Sequence, residues 1–105
     1  MTRTQFAAWF ATTRRHCVYC TITEDHLPLL GVVTQGGYDL ARLGVDRVDS
    51  SRGYQIDNIR LCCFACNKVK SNTFSSVEMH ELGRTVAAIW TARLAALGIS
   101  WQPSF

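Results

Sequence analysis

No stretch of the chain approaches 18 consecutive apolar residues, so no membrane-spanning helix is expected. A secretory signal is not expected either. The apolar segment from Phe6 to Ala11 is too short for the hydrophobic part of one, and Arg14 and Arg15 follow where small residues would mark a cleavage site. There is no internal repeat and no low-complexity tract, which argues against solenoids and flexible linkers. With 48% hydrophobic and 18% charged residues the composition also excludes intrinsic disorder. Lysine is scarce: among 11 basic residues only Lys68 and Lys70 are lysine, the rest being arginine, whose planar fork grips phosphate in a bidentate way. The expectation is a cytoplasmic protein in a reducing compartment, where cysteines more often hold metal or do chemistry than form disulfides.

What is present fits one domain over residues 1–105, small enough to profit from an added staple. The formal charge of +3 is unevenly spread. Arg3, Arg14 and Arg15 make the N-terminus basic, whereas residues 16–41 hold Glu24, Asp25 and Asp39 and no Lys or Arg. Residues 42–70 set Arg42, Arg47, Arg52, Arg60, Lys68 and Lys70 against Asp46, Asp49 and Asp57. Such a basic block serves either as a solvated face or as a phosphate-binding one.

Periodicity supplies the elements. Phe6, Trp9 and Phe10 recur at helical spacing after Thr4, a suitable N-cap, predicting a helix over 5–14. Leu82, Val86, Ile89, Trp90, Leu94 and Leu97 predict the core face of a helix over 76–97, with Glu78 in its first turn and Gly98 ending it. Leu43 to Val48 and Asn58 to Cys63 read as two strands of an antiparallel hairpin. Gly36-Gly37 marks a turn ahead of it, and Asn67 to Ser71 forms a short helix after it.

Cys17-Val-Tyr-Cys20 and Cys63-Phe-Ala-Cys66 are two C-x-x-C pairs, together offering the four thiolates of a closed tetrahedral zinc site. A closed site has no open position, so this zinc is structural. Forty-two residues separate Cys20 from Cys63, so the metal ties together the ends of a segment that contains the whole hairpin. Cys62 is left over, as a small buried side chain on the second strand.

Between and beyond the pairs the order is Asp46-Arg47, then Asn58, then Cys63-Phe-Ala-Cys66-Asn67-Lys-Val-Lys70. This closely resembles the HNH, or ββα-metal, endonucleases, in particular zinc-clamped phage and mobile-element members, over residues 17 to about 72. The resemblance implies an α+β fold: a small ββα-metal core over 17–72 with a four-cysteine structural zinc site, flanked by N- and C-terminal helices. It implies a metal-dependent DNA endonuclease of nicking, homing or restriction type, possessed of a magnesium or manganese ion held by Asp46 and Asn67. Asn58 would fix the hairpin loop, and Arg60, Lys68 and Lys70 would contact phosphates.

Arg47 departs from the family pattern, which places a water-activating His there. Arginine stays protonated and cannot be a general base, so Arg47 is expected to grip the phosphate or stabilise its developing charge. The base is then sought among Tyr38, His26, Tyr54, His16 and His80, with Tyr38 favoured because it precedes the Asp46 strand. Local alternatives exist: Asp46 and Arg47 as strand charges paired with Arg60 and Asp57, and Asn67 as a helix N-cap. Two competing functions stand beside the nuclease, a zinc-stapled nucleic-acid-binding module that lost hydrolysis with the His, and a zinc-stapled protein-interaction domain. Cutting both DNA strands would require a homodimer, for which Trp101 and Phe105 are candidate interface residues if they do not cap the core.

Overall fold

The computed structural model describes residues 1–31 and 34–105. Helix α1 spans Arg3–Thr12 and is capped by Thr2, not Thr4. The reason is reciprocal hydrogen bonding: Thr2 Oγ1 accepts from the Gln5 amide at 3.1 Å, and Gln5 Oε1 accepts from the Thr2 amide at 2.8 Å. Thr4 has Ala7 at the corresponding position, which cannot reach back.

A 3-10 helix over Glu24–Leu30, not expected from periodicity, buries Leu27 and Leu30 and contains Pro28. Strands β1 (Thr34–Gln35) and β2 (Tyr38–Asp39) then form a small hairpin. Gly36 and Gly37 make its two-residue turn with φ of 56° and 84°, the positive values that suit the twist of a tight hairpin.

The central hairpin pairs β3 (Gly44–Arg47) with β4 (Ile59–Cys62), setting Asp46 opposite Arg60 and Arg47 opposite Ile59. Helix α2 (Phe64–Lys70) follows at once. It starts three residues earlier than expected because Cys63 is its N-cap, its Sγ accepting from the Cys66 amide at 3.5 Å, so Asn67 lies inside the helix. The ββα unit is thus β3, β4 and α2.

Helix α3 (Ser76–Ala96) opens on a capping box between Ser75 and Glu78 and ends at Gly98, φ 77°. Its core stripe is rotated from the expected one. Met79, Gly83, Ala87, Trp90 and Leu94 are buried, while Ile89 and Leu97 face solvent. Gly83 explains the rotation: a Cβ there would lie 2.4 Å from the Tyr19 carbonyl oxygen, so the helix meets the first cysteine pair along its one residue without a side chain. Trp101 is buried, whereas Phe105 is exposed under the guanidinium of Arg84. Among the described residues no helix is long and apolar enough to cross a membrane.

Candidate active site

The four sulfurs of Cys17, Cys20, Cys63 and Cys66 lie within 4.8 Å of one another and all four residues are buried. The Cys20 and Cys63 sulfurs are 3.7 Å apart. Zinc–sulfur bonds of about 2.3 Å in a tetrahedron put sulfurs about 3.8 Å apart, so the donor set fits a closed zinc site. Its charge chemistry points the same way. Hydrogen bonds from Cys20 and its neighbours hold Cys17 well below the ordinary thiol value, while donation to Cys17 pushes Cys66 and Cys63 up. Four thiolates this close repel one another, and a divalent cation among them would offset that charge. Cys62 is a fifth buried thiol beside them, with its Sγ 3.4 Å from the Cys63 carbonyl oxygen.

The first pair is a tight turn. The Thr21 amide donates to the Cys17 carbonyl at 3.0 Å, and Thr21 itself lies in the left-handed region at φ 66°. The Val18 amide donates to the Leu61 carbonyl at 2.9 Å, docking this turn on β4. That docking places Tyr19 under β3. Its hydroxyl donates to Asp46 Oδ2 at 2.6 Å, and its ring meets that of His80 edge-on at 4.9 Å. Burial, and next the Asp46 carboxylate, push the Tyr19 phenol well above its ordinary value.

Asp46 is itself buried, on the inward face of β3. Its other oxygen, Oδ1, lies 3.3 Å from Lys70 Nζ. The Lys70 ammonium also donates to the Arg47 carbonyl at 2.9 Å and approaches Ser50 Oγ at 3.3 Å. An ammonium has three donors, and all three are used inside the protein. The phosphate contact expected of Lys70 is therefore replaced by an internal one, and only 1% of the residue is exposed.

Asp46, Arg47, Tyr54 and Asn67 line a cavity of about 160 Å³, with Val45, Ser50, Ser71 and Asn72 completing it. Adjacent strand residues point to opposite faces, yet Asp46 and Arg47 share this cavity because β3 ends at Arg47. Arg47 bonds the Arg52 carbonyl through Nη1 at 3.2 Å and lies over the Tyr54 ring at 5.3 Å, leaving further N–H groups free. Asn58 is buried and spent on the loop: Oδ1 accepts from the Asp49 amide at 2.9 Å, and Nδ2 donates to the carbonyls of Asp49 and Gly53. Ser71 follows Lys70 with φ 42°, a conformation that favours glycine, at the edge of the cavity.

Several expected residues lie elsewhere. Tyr38 is 76% exposed on β2 and lines a separate cavity, which Asn67 and Lys68 also border. Arg60 is exposed opposite Asp46, with Nη1 donating to the Ile59 carbonyl. His26 bonds Thr23 and lies near Trp101, and His16 bridges to Thr23. Among the described residues no histidine lines the Asp46 cavity. The residue that the motif missed is Tyr19. Its position inside a cysteine pair that must clamp the hairpin was the available signal, but its contact to Asp46 spans 27 residues and leaves no local pattern.

A two-stranded hairpin and helix clamped by four thiols, with an acidic residue on the first strand, defines a class. Over 95% of its length the chain matches the solved structure of an HNH restriction endonuclease, at 42% identity and a TM-score of 0.80, covering 68% of that chain. The protein belongs to the HNH endonucleases. That neighbour is the rare-cutting enzyme PacI, which exhibits a mechanism of DNA perturbation. No family model and no curated protein sequence matches the chain.

Proposed function

We propose that the protein is a divalent-metal-dependent DNA endonuclease with its centre at Asp46. The observation that carries this reading is the Asp46 carboxylate, fixed by Tyr19 and Lys70 at a cavity it shares with Arg47 and Asn67, in a chain of HNH type. The Asp46 carboxylate and Asn67 amide are the hard oxygen donors that magnesium or manganese prefers. Such an ion supplies Lewis-acid neutralisation of the scissile phosphate and its leaving oxygen.

The protein's own groups do the rest. Arg47 holds a phosphate oxygen with its free N–H groups and stabilises the charge that builds as the bond breaks. Lys70 offsets the charge of Asp46 and keeps the carboxylate in place. Asn58 ties the loop that carries Ser50. Tyr19 serves as a positioning residue: its buried phenol stays protonated, donates to Asp46 Oδ2 and fixes the carboxylate at the cavity. Lys68 and Arg60, both exposed, contact phosphates away from the reacting one.

The test is conversion of supercoiled plasmid to nicked and linear forms in magnesium or manganese. Wild type cuts. Asp46→Ala abolishes cutting, and Tyr19→Phe, which removes the hydrogen bond holding the carboxylate, lowers its rate by roughly ten- to a hundredfold. Both variants retain zinc and helical content. No metal-dependent cutting by the zinc-loaded wild type overturns the proposal in favour of a nucleic-acid-binding module. One centre attacks one phosphate, so linear product forms in a single encounter only when two copies act together. Its share therefore rises with protein concentration.

A further inference from the structure

A second cavity, of about 310 Å³, adjoins the Asp46 cavity, with Asn67 lining both. Tyr38, Leu40, Cys62 and Phe64 supply its apolar surface, beside Gly44, and Arg42 and Lys68 its cations. We propose that this cavity receives an unpaired nucleobase of the cut strand, next to the phosphate held at Asp46 and Asn67, with Tyr38 as its stacking surface. The inference rests on the nuclease reading and extends it to a nucleotide subsite.

Three observations support it. Tyr38 presents its ring to solvent from a tight hairpin, since the Gly36-Gly37 turn directly precedes it and the ring packs in no core cluster. Phe64 is the opposite case. It packs 6.2 Å from Trp90, centroid to centroid, which gives the cavity one aromatic wall anchored on α3. Flat aromatic walls take any base by stacking, without reading its hydrogen-bonding edge. Gly44 leaves its stretch of the cavity wall without a side chain, next to Asn67: a Cβ there would come to 3.9 Å from Asn67 Nδ2, and a larger side chain would extend into the cavity.

The electrostatics match a nucleotide and not a free apolar ligand. Arg42 Nε pairs with Asp39 Oδ2 at 3.2 Å, which neutralises the one carboxylate on the rim and leaves other guanidinium donors outward. Lys68 adds an unneutralised positive charge. A base on an aromatic wall with its phosphate toward cations is the arrangement of single-strand binding sites. A base can enter only when it is out of the helical stack, so the substrate has to be opened locally for cutting.

The experiment measures fluorescence anisotropy of a labelled 12-nucleotide single strand and of a blunt duplex, without added divalent ions. It compares wild type, Tyr38→Phe, Tyr38→Ala and Gly44→Val, with zinc stoichiometry and circular dichroism checked on each. Tyr38→Ala and Gly44→Val are expected to weaken single-strand binding at least tenfold and duplex binding less than threefold. Tyr38→Phe, which keeps the ring, stays within twofold for both. Equal loss in Tyr38→Phe and Tyr38→Ala would overturn stacking and assign the hydroxyl a role. Unchanged binding in Tyr38→Ala and Gly44→Val would overturn the subsite. Plasmid cutting by wild type, run in parallel, separates the two readings: cutting with unaltered binding in the variants removes the subsite alone, and selective binding loss without wild-type cutting removes the nuclease alone.

Discussion

At the scale of single residues, the centre is organised by buried side chains whose partners lie far along the chain. Lys70 and Asp46 are both almost fully buried, so neither charge has water to fall back on. Removing one partner of such a pair leaves the other uncompensated, at a typical cost of about 3 kcal/mol. Lys70→Met is therefore expected to lower stability by about that amount, measured as a shift of the urea midpoint. Ser71 gives the opposite sign. Its φ of 42° strains any side chain, so Ser71→Gly is expected to raise stability by about 1 kcal/mol in the same titration. The family's order along the chain singles out Asp46, Arg47, Asn58 and Asn67, and the fold brings Asp46, Arg47 and Asn67 to one cavity while Asn58 ties the loop. The motif gave Lys70 the wrong task, because a lysine on a polar-looking helix turn carries no mark of the carboxylate beneath it.

At the scale of elements, helix existence and strand pairing followed from periodicity, while helix faces and ends did not. The rotated stripe of α3 depends on Gly83, and a glycine in a helix reads locally as a weakness and not as a contact. Here it is the point where α3 touches the first cysteine pair, with no room for a methyl group. Gly83→Ala would gain helix propensity of about 1 kcal/mol. The clash with backbone at the Tyr19 carbonyl costs about 1–3 kcal/mol and wins, because backbone in a metal-tied turn has nowhere to move. The expected outcome is a lower melting temperature, together with reduced cutting, since Tyr19 is displaced from Asp46. The end of α1 was misplaced for a similar reason: two threonines compete to cap it, and the choice lies with Gln5. The β1–β2 hairpin was foreshadowed by its glycine pair alone, because two-residue strands are too short to show alternation.

At the scale of the whole molecule, the cysteine spacing was the most informative part of the sequence, since few arrangements other than a metal site need two such pairs. The thiolates join the turn at Cys17–Cys20 to the start of α2, and so hold together everything that meets at Asp46. Cys66→Ser is expected to abolish stoichiometric zinc and unfold the core, seen as loss of far-ultraviolet dichroism. Cys62→Ala, outside the ligand set, is expected to keep one zinc per chain with only the modest loss of a small buried side chain. If Cys62→Ala also loses the metal, the fifth thiol is a ligand and the assignment of the four changes.

The hold on Asp46 has a consequence for ion choice. Calcium commonly takes a carboxylate through both oxygens and tolerates irregular shells, whereas magnesium and manganese accept a single oxygen in a tight octahedron. A carboxylate gripped by a phenol on one oxygen and an ammonium on the other cannot swing round to chelate. With Asp46 as the proposed ligand, the scaffold would discriminate by denticity, and calcium at millimolar concentration is expected to support far slower plasmid cutting than magnesium does.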